Sequence, residues 1–196
     1  HGYDFAGGLR TILRQDPDVV MVGEIRDLET ATVAAQAALT GHVMLSTIHT
    51  NSAVESIPRI VNMGLPEFII APALHTIIAQ RLVRKLCACA EKRPMTEGEK
   101  AKFAKDVETI RGVVPDITVR IPTLATIPTD LMVGKGCEKC SNTGFKGRVV
   151  IVEIITIDSE MQELILAKTS APKLFEAARK KGMITMQEDG ILKVLQ

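Results

Sequence analysis

Tryptophan is absent from this chain, tyrosine occurs once, and aromatic residues make up 3% of it. A surface that stacks bases needs aromatic faces within a positive field, and a net charge of +1 supplies no such field. No apolar run approaches the roughly eighteen to twenty residues that a membrane span requires, and no signal-peptide pattern is found at the start. These absences argue against direct binding of nucleic acid and against a transmembrane segment, and they point to the cytoplasm. Repeats and low-complexity tracts are lacking too. What is present is a globular composition, 46% hydrophobic and 24% charged over 196 residues, enough for one domain with an appendage or for two small ones.

The densest information lies between Asp16 and Asn51. The apolar run Val19–Val22, bounded by Pro17 and Gly23, suits a fully buried parallel strand and delivers Glu24 to its end. A second run, Val43–Leu45, delivers His49 in the same way. Between them Asp27 can cap a helix with Glu29 in its first turn, and Gly41 can close it in a left-handed conformation. The unit reads strand, helix, strand, with an acid and an imidazole meeting at the carboxyl edge of one sheet, where open α/β sheets bind ligands.

Three regions follow from the rest of the pattern: 1–86, 87–148 and 149–196. The first is α/β, with a helix over 5–14 and another over 52–63, inside which Pro58 would remove a donor and kink the axis. A helical turn after Pro66 breaks near Pro72, and 77–83 reads as a strand. The second holds all the cysteines, a polar helix over 96–110 with Thr96 and Glu99 as a capping box, and a Pro- and Thr-rich stretch over 114–129 without clear periodicity. The third opens with a strand over 149–155 and continues as helices capped near Asp158 and Ser170, one of them ended by Gly182.

In order along the chain stand GEIRD (23–27), GH (41–42), STIHTN (46–51), AQRLVRKLC (79–87) and GCEKCSNTGFKGR (136–148). This series resembles the secretion ATPases that power type II secretion and type IV pilus assembly, and the match spans almost the whole sequence. The resemblance implies an α/β fold: part of a RecA-like P-loop ATPase core carrying Walker B and the His box, with a cysteine-bearing insertion and a C-terminal helical subdomain. The family's phosphate-binding pattern GxxxxGK[ST] does not occur. Lys135 follows a Gly134, but Thr129 stands where the first glycine is needed and Gly136 where the hydroxyl is needed, so a turn is the better reading. With no initiator Met at His1 and Gln196 falling within helical pattern, the sequence reads as a fragment of a longer protein.

Phosphoryl transfer asks chiefly for positioning and charge stabilisation. A carboxylate at a strand end can orient or deprotonate the attacking water, the role the resemblance gives Glu24; the plainer reading is a Glu that accepts helix amides or pairs with Arg26. The resemblance places His49 near the terminal phosphate, with Arg26 alongside. It names Gly23, His42, Thr47, Arg10, Arg14 and Arg81 as nucleotide-contact candidates, among which sequence does not choose the arginine that acts on the phosphate. His42 and Thr47 are equally at home as structural residues. ATP and Mg2+ are the implied ligands. A homo-hexamer at the cytoplasmic side of the inner membrane, working on a membrane platform protein, is the implied assembly.

Cys137 and Cys140 form a C-x-x-C turn followed by Gly144 and Gly147, the outline of a zinc knuckle. With Cys87 and Cys89 they would give four thiolates around a structural zinc; reduced free thiols are the alternative, and disulfides fit a reducing compartment least. The first pair is C-x-C where the family shows C-x-x-C, with Ala90 in the expected place of the second cysteine. Two other functional classes remain open at this point. One is a non-catalytic interaction module of a secretion complex, and the other is a zinc-ribbon nucleic-acid binder, which the composition opposes.

Overall fold

The computed structural model describes residues 4–195. Its contacts divide the chain into two compact units, one of 4–79 with Ile154–Ala178 and one of Gln80–Glu153 with 179–195.

In the first unit, α1 (Phe5–Leu13) is capped by Asp4, whose carboxylate accepts the Gly7 amide at 2.6 Å. Strand β1 (Val19–Val22) pairs in parallel with β2 (Val43–Ser46), Val19 opposite Val43 and Val22 opposite Ser46. The crossover is α2 (Leu28–Leu39), which Asp27 caps by accepting the Thr30 amide at 2.8 Å, and Gly41 after it takes φ +104°. That amide, with the Thr30 hydroxyl, holds the Asp27 carboxyl below its ordinary value. Val20 and Val22 pack with Ala6, Leu9, Val33 and Ala34 into one apolar core beneath α1 and α2.

The strands are not buried on both faces, as a continuous apolar run suggests. Val20 and Val22 point into the core, whereas Val19, Met21, Val43 and Leu45 are 56, 70, 53 and 51% exposed. The reason is that helices cover one face of this two-stranded sheet while the described residues cover the other only sparsely.

Helix α3 spans Ser56–Asn62 rather than starting at 52. Pro58 therefore falls in its first turn, where the missing amide has no intrahelical acceptor to lose, and no kink is required. Helix α4 (Glu67–Ala73) absorbs Pro72 near its end, and the carboxylate of Glu67 pairs with Lys168 at 3.3 Å. Helix α7 (Ser159–Leu166) is capped by Asp158 and packs on α4, and α8 spans Ala171–Lys180. Strands β3 (Thr76–Leu86) and β6 (Phe145–Thr156) pair with each other, and both are longer than the sequence pattern implied.

The second unit has its own core. Strand β4 (Ala90–Pro94) pairs antiparallel with β5 (Asp130–Gly134). Helix α5 (Glu97–Val113) begins at the expected capping box and buries Phe103, Val107 and Ile110, positions at i, i+4 and i+7. Around them gather Met95, Ile117, Leu124 and Leu192. The Pro- and Thr-rich stretch thus wraps this core through a short helix, α6 (Ile117–Arg120), and a 3-10 turn at Pro122–Ala125. Helix α9 (Met186–Leu195) closes the unit; Gln196 lies outside the described residues.

Candidate functional site

Because β1 and β2 run parallel, their carboxyl ends lie side by side, and the residues just past both ends meet. The ladder ends at Val22 opposite Ser46. Beyond it the Thr47 hydroxyl donates to the Gly23 carbonyl at 2.7 Å, and the Ile25 amide donates to the Thr47 carbonyl at 2.9 Å. Glu24 sits between those two ties. His49, two residues past Thr47, places Nε2 3.0 Å from Glu24 Oε2.

The two partners differ in exposure: the Glu24 side chain is 19% exposed and that of His49 is 85%. Arg26 Nε stands against Glu24 Oε1 as an ion pair, so the two carboxylate oxygens are engaged by Arg26 and by His49. A Cβ built on Gly23 meets nothing within 4 Å beyond its chain neighbours.

The other sequence candidates lie elsewhere. His42 precedes β2, at the amino edge of the sheet; its Nδ1 is 3.2 Å from the Ala37 carbonyl and 3.3 Å from the Thr40 hydroxyl at the end of α2. Arg10 pairs with Glu29 across α1 and α2 at 2.8 Å, and Arg14 caps α1. Arg81 lies on β3. Lys135 donates to Glu91 at 2.6 Å, as a turn residue would, and imitates no phosphate loop.

A feature missed in the sequence is an open groove of about 300 Å3 beside His49, lined by Asn51, Glu55, Arg59 and Asn62 among others. Glu55, Arg59 and Asn62 recur at i, i+4 and i+7 along the start of α3. That periodicity was present in the sequence and identifies the face.

The second constellation is the cysteine cluster, whose four Sγ atoms lie within 4.8 Å of one another. Cys87 and Cys137 Sγ are 3.9 Å apart, Cys89 and Cys140 3.9 Å, and Cys137 and Cys140 3.7 Å. Four sulfurs at zinc–thiolate bond length make a tetrahedron with edges of about 3.8 Å, so the set fits a thiophilic divalent ion in spite of the C-x-C spacing.

The backbone is shaped for the cluster. Gly134 and Gly144 approach so closely that a Cβ on Gly134 would stand 2.5 Å from the Gly144 carbonyl oxygen. The Cys137 and Gly144 amides donate to Cys140 Sγ at 3.1 and 3.3 Å. Burial would raise the Cys140 thiol, but those amides together with the Cys137 and Cys89 side chains outweigh it and bring it down to about 6, whereas burial pushes Cys89 up to about 11. An amide-stabilised Cys140 sulfur with three further sulfurs close by is a set that a cation would complete.

A parallel βαβ unit with an acid and an imidazole at its carboxyl edge, joined to a cysteine-bearing unit, places the chain in the RecA-like class of α/β ATPase folds. Two solved ATPases agree in fold. The Legionella pneumophila ATPase DotB aligns at TM-score 0.55 and 24% identity, over 97% of this chain and 38% of that one. The pilus retraction motor PilT with bound ADP aligns at 0.51 and 25%, over 95% and 42%.

The family model described as type II/IV secretion system protein matches residues 1–196, and the chain belongs to that family. The type IV pilus assembly ATPase PilB of Thermus thermophilus is 44% identical over 195 residues, all of this chain and 20% of PilB. The type II secretion system protein E of Aeromonas hydrophila is 44% identical over 193 residues, 98% of this chain and 35% of that protein. The chain therefore spans between a fifth and about a third of these relatives. Among the described residues no helix is long and apolar enough to cross a membrane.

Proposed function

We propose that this chain is the part of a motor ATPase that handles the terminal phosphate and the attacking water, in a cytoplasmic homo-hexamer driving type IV pilus assembly or type II secretion through an inner-membrane platform protein. The single observation that carries the reading is the 3.0 Å contact of His49 with Glu24 at the carboxyl ends of parallel β1 and β2.

Glu24 orients the water and takes its proton. His49, far more exposed, reaches the terminal phosphate and transmits its presence to α3 through the following loop. There the Thr50 and Ser56 hydroxyls lie 2.9 Å apart, and Glu55 accepts the Asn51 amide at 3.3 Å. Arg26 offsets the charge beside Glu24. Mg2+ would supply neutralisation of the phosphate oxygens. The residues 87–148 form a region stapled by zinc on Cys87, Cys89, Cys137 and Cys140. Lacking a phosphate-binding loop, the 196-residue chain alone does not turn over ATP.

Steady-state hydrolysis by the full-length ATPase carrying Glu24→Gln tests the proposal. A general base is worth about 10²- to 10⁴-fold in rate, so kcat should fall by at least about a hundredfold while nucleotide still binds. A variant with near-normal turnover would sink the reading.

A further inference from the structure

Glu24 follows a bend at Gly23. The backbone on either side of Glu24 is hydrogen-bonded to one residue. Thr47 receives the Ile25 amide on its carbonyl at 2.9 Å and sends its hydroxyl proton to the Gly23 carbonyl at 2.7 Å. The two ties flank Glu24 on both sides.

The β1–β2 ladder ends one residue earlier, so neither tie is a continuation of regular pairing at the side-chain level. Thr47 also stands two residues before His49, which means one anchor sets the origin of both functional side chains. A hydroxyl has a single proton, and this one is donated to Gly23, which gives Thr47 a positional part beside the nucleotide contact that the resemblance implied.

We infer that Thr47 is a positioning residue for Glu24: its hydroxyl fixes the Gly23–Glu24 peptide so that the carboxylate meets both His49 and the attacking water. This rests on the proposed role of Glu24 in hydrolysis. The distinction matters because a residue that touches nucleotide alters affinity, whereas a residue that aims a base alters only the chemical step.

The test is Mg-ATP kinetics of the full-length ATPase with Thr47→Val, which keeps the shape and removes the proton, beside Thr47→Ser and Glu24→Gln. Rates are taken per assembled hexamer isolated by gel filtration, and Thr47→Ala replaces the Val variant should that one not assemble. Misaiming by about 1 Å costs on the order of a hundredfold, so kcat should fall about ten- to a hundredfold with KM unchanged, and Ser should restore it. Unchanged kcat, a raised KM with full kcat, or failure of Ser to rescue overturns the inference. Glu24→Gln separates the two levels: if it abolishes turnover while Thr47→Val does not, only Thr47 is misassigned; if Glu24→Gln stays active, the proposed function itself falls.

Discussion

The two units differ in what they do with their polar groups. In the second unit charged side chains pair from the surface to the core: Glu91 with Lys135 at 2.6 Å, Arg93 with Glu99 at 2.7 Å, Arg179 with Glu188 at 2.7 Å, and Asp189 with both Lys193 and the Val152 amide. Its apolar residues close around α5. The first unit leaves an imidazole largely in solvent and one apolar sheet face exposed. Paired groups stabilise, and an exposed imidazole and an uncovered apolar face are where ligands or further chain can act. Under the proposed function, the first unit is the chemical part and the second the structural part.

Removing the metal is the largest way to break that contrast. An ion held at a thousand times its Kd adds about 4 kcal/mol, which for a chain of this size is a Tm change of roughly 10 °C. Purified chain should carry about one zinc per molecule; Cys137→Ser should lose it, and chelation should lower Tm by that amount. Hydrogen exchange should quicken around β4 and β5 while α1 and α2 keep their protection. Uniform loss across both units, or zinc content unchanged in the variant, would break the division.

A smaller effect sharpens it through pH. The Arg93 guanidinium, with the Thr96 amide and hydroxyl, brings the Glu99 carboxyl from 4.5 down to about 2. A depressed carboxyl stabilises the fold fully above its unfolded value and loses that contribution as pH falls toward the folded one. Glu99→Ala should therefore lower Tm at pH 7, with the deficit shrinking below about pH 4.5 and gone near pH 2. Thr96→Ala, which removes the other half of the capping box, should cost about 1 kcal/mol. A deficit that grows on acidification would contradict the assignment.

Local signals were legible where short-range chemistry decides the outcome. Asp27, Asp158 and the Thr96–Glu99 box could be read directly, because a cap is set within four residues. The meeting of Glu24 with His49 was legible because two short apolar runs, in parallel, bring their ends together. Pro58 misled, since its meaning depends on whether a helix starts at 52 or 56, and helix ends are the least determined part of any pattern. The partner of the Thr47 hydroxyl was hidden for another reason. It lies 24 residues away, and a Thr at a strand end can face a ligand or a backbone carbonyl with equal propensity. Half-burial of β1 was hidden too, because an apolar run states what a strand can bury and not what covers it.

That last point carries the smallest effect and can be measured within one strand. Val22 and Met21 are neighbours, 6% and 70% exposed. Val22→Ala removes two buried methyl groups and should cost about 1.5–2.5 kcal/mol in the 196-residue chain. Met21→Lys should stay within about 0.5 kcal/mol there, because its side chain remains in water. Parallel strands are ordinarily covered on both faces, so in the full-length ATPase the order should reverse, with the lysine left to bury a charge and the valine loss unchanged. Urea titration of both variants in both settings reads the difference. Equal costs in the short chain would mean that the exposed face is already packed, and the contrast between the units would lose its second support.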